Sequence, residues 1–404
     1  MRKAFGQIMV SALLGTTLVA ATTSTAAAAD DVVPGLDRTL RDRAADILAT
    51  ATPGEPLKVV TTSRSSAGPD ISTNTATTRS QALEFIVEGL SRPSTIGVDM
   101  AHPVQIDASN DTLRSKQWAL TRFQAETAWK TSTGSGVVVA VIDTGVRAAH
   151  PDLKGQILKG YDFVEPGTSA EDSNGHGTHV AGIIAAIADN RRGVAGLARR
   201  AKILPVRVLD SSGSGDTAAV ARGIVWAVDH GAKVINLSLG SMWSDSAGRA
   251  AVEYAQSKNV VVVAAAGNDG CGLLLGSPTS YPAAYPGVIG VGAIDSNGST
   301  ASYSSCGSWV DVVAPGTKVV STMIEAPDRG LGCPKTYCYL SGTSMATPYT
   351  AAAAALKIAR IGKGWRASKV SALVLSTADD VGPRGRDSRT GQGIINPRRL
   401  LAAR

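Results

Sequence analysis

A serine in the C-terminal part of the chain lies in a turn of small residues that leads into an alanine-rich segment. Ser344 is the third residue of Gly-Thr-Ser-Met-Ala-Thr-Pro at 342–348, and residues 349–356 have high helix propensity. We therefore expect its hydroxyl at a helix N-terminus, where unpaired backbone N–H groups favour developing negative charge. A serine hydroxyl becomes a good nucleophile when an adjacent base accepts its proton and a third group orients that base.

A histidine and a carboxylate with suitable surroundings occur earlier in the chain. Among the five histidines, His176 stands between two glycines at the start of another small-residue segment. Asp143 ends the apolar run 137–142 and precedes a Thr-Gly turn. An acid that ends a buried strand lies at the carboxyl edge of a parallel sheet, where α/β proteins place their sites. Together these residues predict Ser–His–Asp nucleophilic catalysis.

Three short segments carry these residues. Val-Ile-Asp-Thr-Gly at 141–145, His-Gly-Thr-His-Val-Ala-Gly at 176–182 and the segment 342–348 resemble the catalytic blocks of the subtilisin-like serine proteases (subtilases), in that family's order Asp, His, Ser. Residues 110–129 resemble the mature N-terminus of the thermitase-like secreted branch. The resemblance covers 110–404. It implies a three-layer α/β sandwich with a mostly parallel central sheet, and a serine endopeptidase that works through an acyl-enzyme.

Composition and apolar pattern agree with this fold class. The 404 residues are 44% hydrophobic and 18% charged, which is enough apolar sequence to bury a large core. From residue 137 onward, apolar runs of strand length alternate with helical patterns, as is typical of a parallel sheet covered by helices. The alternating segments are 202–208, 216–230, 234–239, 246–258 and 260–265.

The first 29 residues have the pattern of a secretory signal peptide. Arg2 and Lys3 form a charged start, residues 8–20 are apolar, and three alanines at 27–29 precede Asp30. We therefore expect a secreted, extracellular protein, and a short membrane anchor is the alternative interpretation. No other stretch approaches the roughly 18–20 apolar residues of a membrane span, so no stable membrane insertion is expected.

Residues 30–109 have a different character, with many Thr, Ser, Arg and Asp residues and few sustained apolar runs. The patterns predict a small α+β unit made of a strand, a helix and an extended segment, at 57–61, 81–90 and 96–106. In position and size this unit resembles the inhibitory propeptide of secreted subtilases, which assists folding and is removed autocatalytically. The alternative is an N-terminal domain that stays attached. We expect cleavage between about residues 104 and 110, which leaves 110–404 as the catalytic domain.

An asparagine after an apolar segment completes the predicted catalytic set. Asn268 ends Ala-Ala-Ala-Gly-Asn at 264–268. The resemblance implies that its side-chain amide and the Ser344 N–H together hold the oxyanion of the tetrahedral intermediate. The alternative is an ordinary turn residue after a glycine.

The resemblance also implies where substrate binds. Two edge segments would hold extended polypeptide as an added β-strand through main-chain hydrogen bonds. They contain Ser212, Gly213, Ser214 and Gly215 on one side and Ser238, Leu239 and Gly240 on the other. The first pocket has its wall at Ala265, Ala266 and Gly267, with Asp269 near the rim and Ser280 near the floor. Asp269 either favours a basic residue before the scissile bond or is a solvated acid beside a broadly apolar pocket.

A structural calcium site is implied as well. Its expected ligands are carboxylate, amide and carbonyl oxygens, which Ca²⁺ prefers. They are the side chains of Asp111, Asp152 and Asn190 and the carbonyls of Ile187, Arg192 and Val194. Arg191 and Arg192 bring positive charge into this loop, which departs from the family's pattern. A second family site near Asp162 is degraded, because Gly167 stands where an acid is required. The alternative is that all these acids are solvated, and no organic cofactor is expected.

The four cysteines are expected to form disulfides in an exported protein, and four allow three connectivities. Related enzymes favour Cys271 with Cys306, which leaves Cys333 and Cys338 to close a small loop before the predicted nucleophile. A zinc site is the competing interpretation. The Cys-x4-Cys pair lacks a nearby histidine, which argues against zinc.

Two further features suggest other functions but have simpler explanations. His179 lies three residues after His176, yet no His-Glu-x-x-His motif accompanies the pair, so we expect a packed core residue. The formal net charge is +7, but the arginine pairs are scattered along the chain, so no nucleic-acid partner is expected.

Two other function classes remain alternatives. A secreted esterase also uses Ser, His and Asp, but its usual Gly-x-Ser-x-Gly motif and its order Ser, Asp, His both differ from this sequence. A catalytically silent binding module is expected to have lost a triad or oxyanion residue, and all four are present. The expected partners are protein or peptide substrates and the chain's own propeptide, and the protein is expected to be a monomer.

Overall fold

The computed structural model of the chain describes residues 37–51, 56–66, 68–101, 109–272, 276–325 and 336–404. Its internal contacts divide the chain into two compact units, Met1–Ile106 and Asp107–Arg404, close to the expected boundary between residues 109 and 110. The expected signal peptide and most of the expected cleavage interval lie outside the described residues.

The first unit is a small α+β fold. Its elements are α1 (Arg38–Ala49), β1 (Leu57–Ser65), β2 (Gly68–Ala76), α2 (Arg79–Ser91) and β3 (Thr95–Met100). The strands form an antiparallel sheet in the order β2-β1-β3, and both helices pack with it in one apolar cluster. The polar strand β2 has no apolar alternation, so sequence patterns did not predict it.

The second unit has nine strands and eight α-helices among its described residues. The strands are β4 (Val138–Asp143), β5 (Tyr161–Asp162), β6 (Lys202–Arg207), β7 (Val234–Leu237), β8 (Val261–Ala265), β9 (Ile289–Ile294), β10 (Val312–Pro315), β11 (Val319–Thr322) and β12 (Tyr337–Leu340). The helices are α3 (Trp118–Arg122), α4 (Ala125–Thr131), α5 (His176–Ala185), α6 (Thr217–Asp229), α7 (Ser246–Ser257), α8 (Thr343–Ile361), α9 (Ala367–Ser376) and α10 (Pro397–Ala402).

Seven of these strands form one sheet in which every neighbouring pair is parallel, in the order β10-β9-β8-β7-β4-β6-β5. Alternate residues of a strand point to opposite faces, so one strand supplies two cores. Val139 and Val141 of β4 pack in the cluster that contains α5 and α8, and Ala140 and Ile142 pack with α6 and α7. The predicted three-layer sandwich with a parallel central sheet is therefore confirmed.

Helix α8 is the longest helix among the described residues and is largely buried in the larger core. It packs against β7, β8, β9 and β10, and the alanines at 351–355 are fully buried. Because alanine extends no further than Cβ, the helix axis can approach the sheet closely. This packing brings the start of α8 to the carboxyl edge of the central strands.

A buried ion pair secures the end of β6 against β5. Arg207 Nη1 lies 2.8 Å from Asp162 Oδ2, and Thr168 Oγ1 donates to the same oxygen at 3.0 Å. The backbone N–H groups of Val164 and Glu165 donate to Asp162 Oδ1, both at 2.8 Å. The charge of Asp162 is thus balanced by Arg207. Asp162 is the acid near which sequence analysis considered a second family calcium site to be degraded.

We predict that Arg207→Gln destabilises the second unit by about 3–5 kcal/mol, because it leaves the Asp162 carboxylate buried without its counter-charge. Guanidinium chloride unfolding in a Ser344→Ala background would measure this without self-digestion. The control is Arg399→Gln, which breaks the exposed pair with Asp379 and should cost no more than about 1 kcal/mol. Equal costs for the two variants would contradict the prediction.

Candidate active site

Asp143 and His176 meet at the carboxyl edge of the sheet. Asp143 is the last residue of β4 and fully buried, and His176 is the first residue of α5. His176 Nδ1 lies 2.7 Å from Asp143 Oδ1, which also accepts the Thr144 N–H at 2.8 Å. A Cβ at Gly177 would lie 2.1 Å from the Gly145 carbonyl oxygen, so only glycine permits this approach of helix to strand.

A second buried carboxylate organises the turn before His176. Asp172 is 4% exposed and accepts five hydrogen bonds. The donors are Thr144 Oγ1, Asn174 N, Gly175 N, Thr178 N and Thr178 Oγ1, at 2.6–2.9 Å. Thr144 in turn accepts the Gly177 N–H at 3.0 Å, which links the turns that follow Asp143 and His176. Sequence analysis did not single out Asp172, although an acid four residues before the histidine is a visible signal.

Two opposing effects set the protonation of His176. Burial lowers its pKa, but the charge and hydrogen bond of Asp143, with a contribution from the charge of Asp172, outweigh burial and raise the pKa above the ordinary value. Since Nδ1–H donates its hydrogen bond to the carboxylate, Nε2 is the nitrogen left to accept a proton in the neutral ring. His176 is therefore a stronger base than a free histidine.

Ser344 occupies the first turn of α8 directly after Gly342 and Thr343. Its hydroxyl donates to the Ser238 carbonyl at 3.1 Å. Among the described residues, no hydrogen bond joins this hydroxyl to His176, so the resting orientation differs from the serine–histidine contact expected from the sequence. Catalytic hydrogen bonds of free enzymes often form only in the substrate complex.

Asn268 has a fixed amide orientation. Its Oδ1 accepts from Thr343 N at 2.8 Å and from Thr343 Oγ1 at 3.0 Å. In this orientation the Nδ2 hydrogens point away from Thr343 and can donate to another acceptor. A Cβ placed on Gly342 would lie 3.5 Å from Asn268 Nδ2 and 3.7 Å from Ser344 N, so both donors border the same small space.

Two cavities flank the Ser344–His176 region. The larger, of about 530 Å³, is lined by His176 and by the predicted residues Ser212, Gly213, Ser214, Gly215, Ser238, Leu239 and Gly240. The smaller, of about 310 Å³, is lined by Asn268 and Ser344 and by the predicted residues Ala265, Gly267, Asp269 and Ser280. The structure thus brings together all but one of the predicted substrate residues.

The exception is Ala266, which lines neither cavity. It is fully buried in a separate apolar cluster with Ile294, Val310 and Val313. The structure places the Ala266 side chain on the side away from the cavity that its neighbours Ala265 and Gly267 line, and its role in the pocket wall stays a prediction.

Exposed apolar residues at the cavity rims were missed by sequence analysis. Met242 is 62% exposed and borders the smaller cavity, and Trp243 is 75% exposed and borders the larger one. Asp269 is also exposed at the smaller cavity, where its Oδ2 lies 3.4 Å from Ser305 Oγ. The smaller cavity, which contains most of the predicted first-pocket residues, therefore presents both an acid and apolar surface.

The expected calcium ligands converge on one loop. Asp111 and Asp152 are 5% and 0% exposed, and neither forms an ion pair with another described residue. Asp111 accepts the N–H groups of Asp189 and Asn190, both at 3.0 Å, and Asp152 Oδ1 accepts Asn190 Nδ2 at 2.9 Å.

The remaining contacts bear on whether a cation fits there. Asp152 Oδ2 accepts from Val194 N at 2.9 Å and from the Tyr337 hydroxyl at 3.0 Å. The carbonyls of Ile187, Arg192 and Val194 accept no hydrogen bond from the described part of the chain. Two buried acids without an ion-pair partner among the described residues favour Ca²⁺ at this loop. Asn190 presents its Nδ2 to Asp152, and its Oδ1 already accepts the Arg192 N–H at 2.8 Å, so the amide would have to turn to act as a ligand. Within the same part of the chain, no cluster of three or more His, Cys, Asp or Glu side chains is arranged to hold a metal.

The disulfide Cys271–Cys306 is present, with the two Cα atoms 5.2 Å apart. Cys338 is also disulfide-bonded, whereas Cys333 lies outside the described residues. His179 is fully buried, and its Nε2 lies 3.1 Å and 3.0 Å from the carbonyls of Val319 and Cys338. Burial lowers the pKa of His179 to about 3, so this ring stays neutral as a core residue.

Comparison with known proteins identifies the family. The sequence model of the subtilase family matches residues 134–393. The chain belongs to the subtilases. It is 46% identical to thermitase from Thermoactinomyces vulgaris over 271 residues, which cover 67% of this chain and 91% of thermitase. It is 45% identical to a thermophilic serine proteinase from Bacillus sp. (strain AK1) over 278 residues, which cover 68% of this chain and 65% of that protein.

A solved protease structure from Pseudoalteromonas arctica PAMC 21717 is similar in fold. Its TM-score is 0.66 at 35% sequence identity, and the match covers 73% of this chain and 99% of that one. The chain is thus a thermitase-like subtilase and a serine-type endopeptidase. Within the described ranges, no helix has the length and apolar content needed to cross a membrane.

We predict that Asp172→Asn shifts the acid limb of the kcat/KM profile to lower pH. Removing this negative charge lowers the pKa of His176, and the neutral base then persists to lower pH. The pH dependence of peptide hydrolysis by the mature enzyme measures the shift. Asp387→Asn removes another turn-capping carboxylate and should leave the limb in place. If the acid limb of Asp172→Asn stays at the wild-type pH or moves to higher pH, the effect of Asp172 on the pKa of His176 is refuted.

Proposed function

We propose that this subtilase is a secreted endopeptidase that hydrolyses extended polypeptide through Asp143, His176 and Ser344 and activates itself from a zymogen. The observation that carries the proposal is the buried Asp143–His176 hydrogen bond at the same sheet edge as the first turn of α8, which contains Ser344. The order and spacing of these residues in a chain 46% identical to thermitase add support.

In the proposed reaction, the Ser344 hydroxyl turns from the Ser238 carbonyl toward His176. His176 accepts the proton at Nε2 while Oγ forms a bond to the carbon of the scissile peptide. Asp143 keeps the ring oriented through Nδ1 and stabilises the imidazolium. His176 then gives its proton to the departing amine, and water attacks the acyl-enzyme to release the second product and restore the serine.

The oxyanion would be held by Asn268 Nδ2 and the Ser344 N–H. Support comes from the two hydrogen bonds that Thr343 donates to Asn268 Oδ1, because they fix which end of the amide faces the small space beside Gly342. Preorganised donors of this kind need no reorientation during the reaction, and removing one such side chain typically costs about 10²–10³ in kcat.

Substrate would bind as an extended strand between segments 213–215 and 238–240. Both segments line the larger cavity beside His176, and Met242 and Trp243 add exposed apolar surface at the rims. Main-chain pairing gives affinity for many sequences, while the cavities set side-chain preference. The proposed substrates are therefore unfolded or loop segments of proteins.

Residues 30–109 are proposed as the inhibitory propeptide and residues 1–29 as the signal for export. The described part of the former folds as a compact α+β unit of its own, which suits a segment that assists folding and is then removed. The mature enzyme is proposed to be a monomer.

We further propose that the catalytic unit, with or without the N-terminal unit attached, binds one structural calcium ion. Asp111, Asp152 and Asn190, with the carbonyls of Ile187, Arg192 and Val194, would hold it. A bound cation would supply the positive charge that the two buried carboxylates lack and would tie the 187–194 loop to the start of the catalytic unit.

We expect the secreted wild-type protein to lack everything before about residue 110, and Ser344→Ala to keep everything after the signal peptide. Loss of the nucleophile prevents self-cleavage but not folding or export. Intact-mass spectrometry of both proteins measures this. If both retain the N-terminal unit, self-activation fails as a proposal, and covalent labelling of Ser344 by a serine-directed fluorophosphonate then tests the nucleophile separately.

We predict that a calcium chelator lowers the unfolding temperature of the Ser344→Ala protein. A ligand at about one hundred times its Kd contributes about 2.7 kcal/mol, which the chelator removes. Differential scanning calorimetry measures the shift. Asp152→Asn should abolish the response to chelator, whereas Asp162→Asn, at the arginine-paired acid, should keep it. If chelator leaves the unfolding temperature of the Ser344→Ala protein unchanged while the calcium loop is unaltered, calcium binding is contradicted.

A further inference from the structure

Helix α8 contains a proline one turn after the nucleophile. Pro348 is the sixth residue of the helix. In an α-helix the N–H of a residue donates to the carbonyl four positions earlier, and proline has no N–H. The Ser344 carbonyl therefore lacks its helical donor. A backbone acceptor at this position requires another partner, because buried carbonyls are almost always hydrogen-bonded.

That partner is a side chain from a different element. Ser238 Oγ donates to the Ser344 carbonyl at 2.8 Å, and Ser238 is 3% exposed. The residue follows the carboxyl end of β7, so the contact ties the nucleophile's helix to the central sheet. The N–H of the same peptide group, which belongs to Met345, donates to the Gly342 carbonyl at 3.0 Å. The peptide after Ser344 is thus held at both ends.

A buried asparagine explains which way the Ser238 hydroxyl points. Asn236 is fully buried in β7 between Ile235 and Leu237. Its Nδ2 donates to Ser238 Oγ at 3.0 Å, while its Oδ1 has no partner in the described part of the chain. Because Ser238 Oγ accepts from Asn236, its own proton is directed to the Ser344 carbonyl. This role accounts for a polar side chain in a strand that is otherwise apolar.

We propose that Ser238, oriented by Asn236, is a positioning residue that replaces the helical N–H missing at Pro348 and fixes the backbone of the nucleophile. The inference rests on the proposed catalytic role of Ser344. Without this hydrogen bond the Ser344 peptide tilts, which displaces both the hydroxyl that reacts and the N–H that faces the oxyanion. The Ser238 carbonyl remains in the Ser238→Ala variant, so its main-chain contacts persist.

The test restores the missing donor by a second substitution. Pro348→Ala gives residue 348 an N–H that can reach the Ser344 carbonyl, so it should make the Ser238 hydroxyl dispensable. We would compare wild type, Ser238→Ala, Pro348→Ala and the double variant as mature enzymes. Each is titrated with a serine-directed fluorophosphonate to count active sites, and kcat and KM are then measured on a chromogenic peptide.

Ser238→Ala should lower kcat about threefold to tenfold, the effect of one net hydrogen bond, with KM within about twofold of wild type. In the Pro348→Ala background the same substitution should lower kcat less than about twofold. The matched control is Ser132→Ala, because the Ser132 hydroxyl also donates to a carbonyl of α8, that of Leu356, at 2.8 Å. This control should keep the wild-type kcat.

The outcomes separate the inference from the proposed function. Wild-type protein that neither labels nor hydrolyses peptide overturns the proposed function. If the wild type is active and Ser238→Ala lowers kcat by the same factor in the wild-type and Pro348→Ala backgrounds, the inference is overturned. It is also overturned if Ser132→Ala lowers kcat as much as Ser238→Ala does. If Ser238→Ala alone does not fold, Ser238→Cys, a weak donor, replaces it. Ser238→Cys must then lower kcat less in the Pro348→Ala background than in the wild-type background. An equal loss in both backgrounds overturns the inference.

Discussion

The close packing of α8 against the central strands is the constraint on which the site depends. The helix lies in the larger core with an unbroken run of buried alanines, so it can approach β7 to β10 without side chains that hold it away. Its N-terminus then comes to the edge where β4 ends in Asp143. Any larger residue on the buried face would push the helix outward and move Ser344 away from the histidine. Packing density in the core is therefore also a requirement for catalytic geometry.

Electrostatics distinguishes two histidines on a single helix. His176 and His179 are three residues apart on α5, yet the pKa of the first is raised and that of the second is lowered. The difference lies in their partners, a carboxylate for His176 and two neutral carbonyls for His179. Burial disfavours the charged form of both rings. At His176 the charge and hydrogen bond of Asp143, with a contribution from the charge of Asp172, overcome this effect. One ring is consequently prepared to accept a proton while the other holds α5 against β11 and β12.

Buried acids elsewhere in the unit are stabilised in two different ways. Asp162 has an arginine partner, and its charge is satisfied within the chain. Asp111 and Asp152 have only neutral donors among the described residues, among them the Tyr337 hydroxyl. Desolvating two carboxylates without a positive charge is costly, and this cost is the physical basis for the proposed cation. Burial also raises the pKa of Tyr337, so it remains a protonated donor to Asp152.

The sequence by itself determined the fold class and the triad candidates, because apolar periodicity fixes strands and helices and the turn residues beside Asp143, His176 and Ser344 fix local conformation. Through family resemblance it also indicated one disulfide and most of the residues now seen to line the two cavities. Only the tertiary structure decided that Ala266 points away from the cavity and that the Ser344 hydroxyl donates to the Ser238 carbonyl. It also decided that the buried Asn236 side chain donates to the Ser238 hydroxyl. These contacts join elements far apart in the chain, and their geometry depends on how helices and strands pack, which no local pattern of residues encodes.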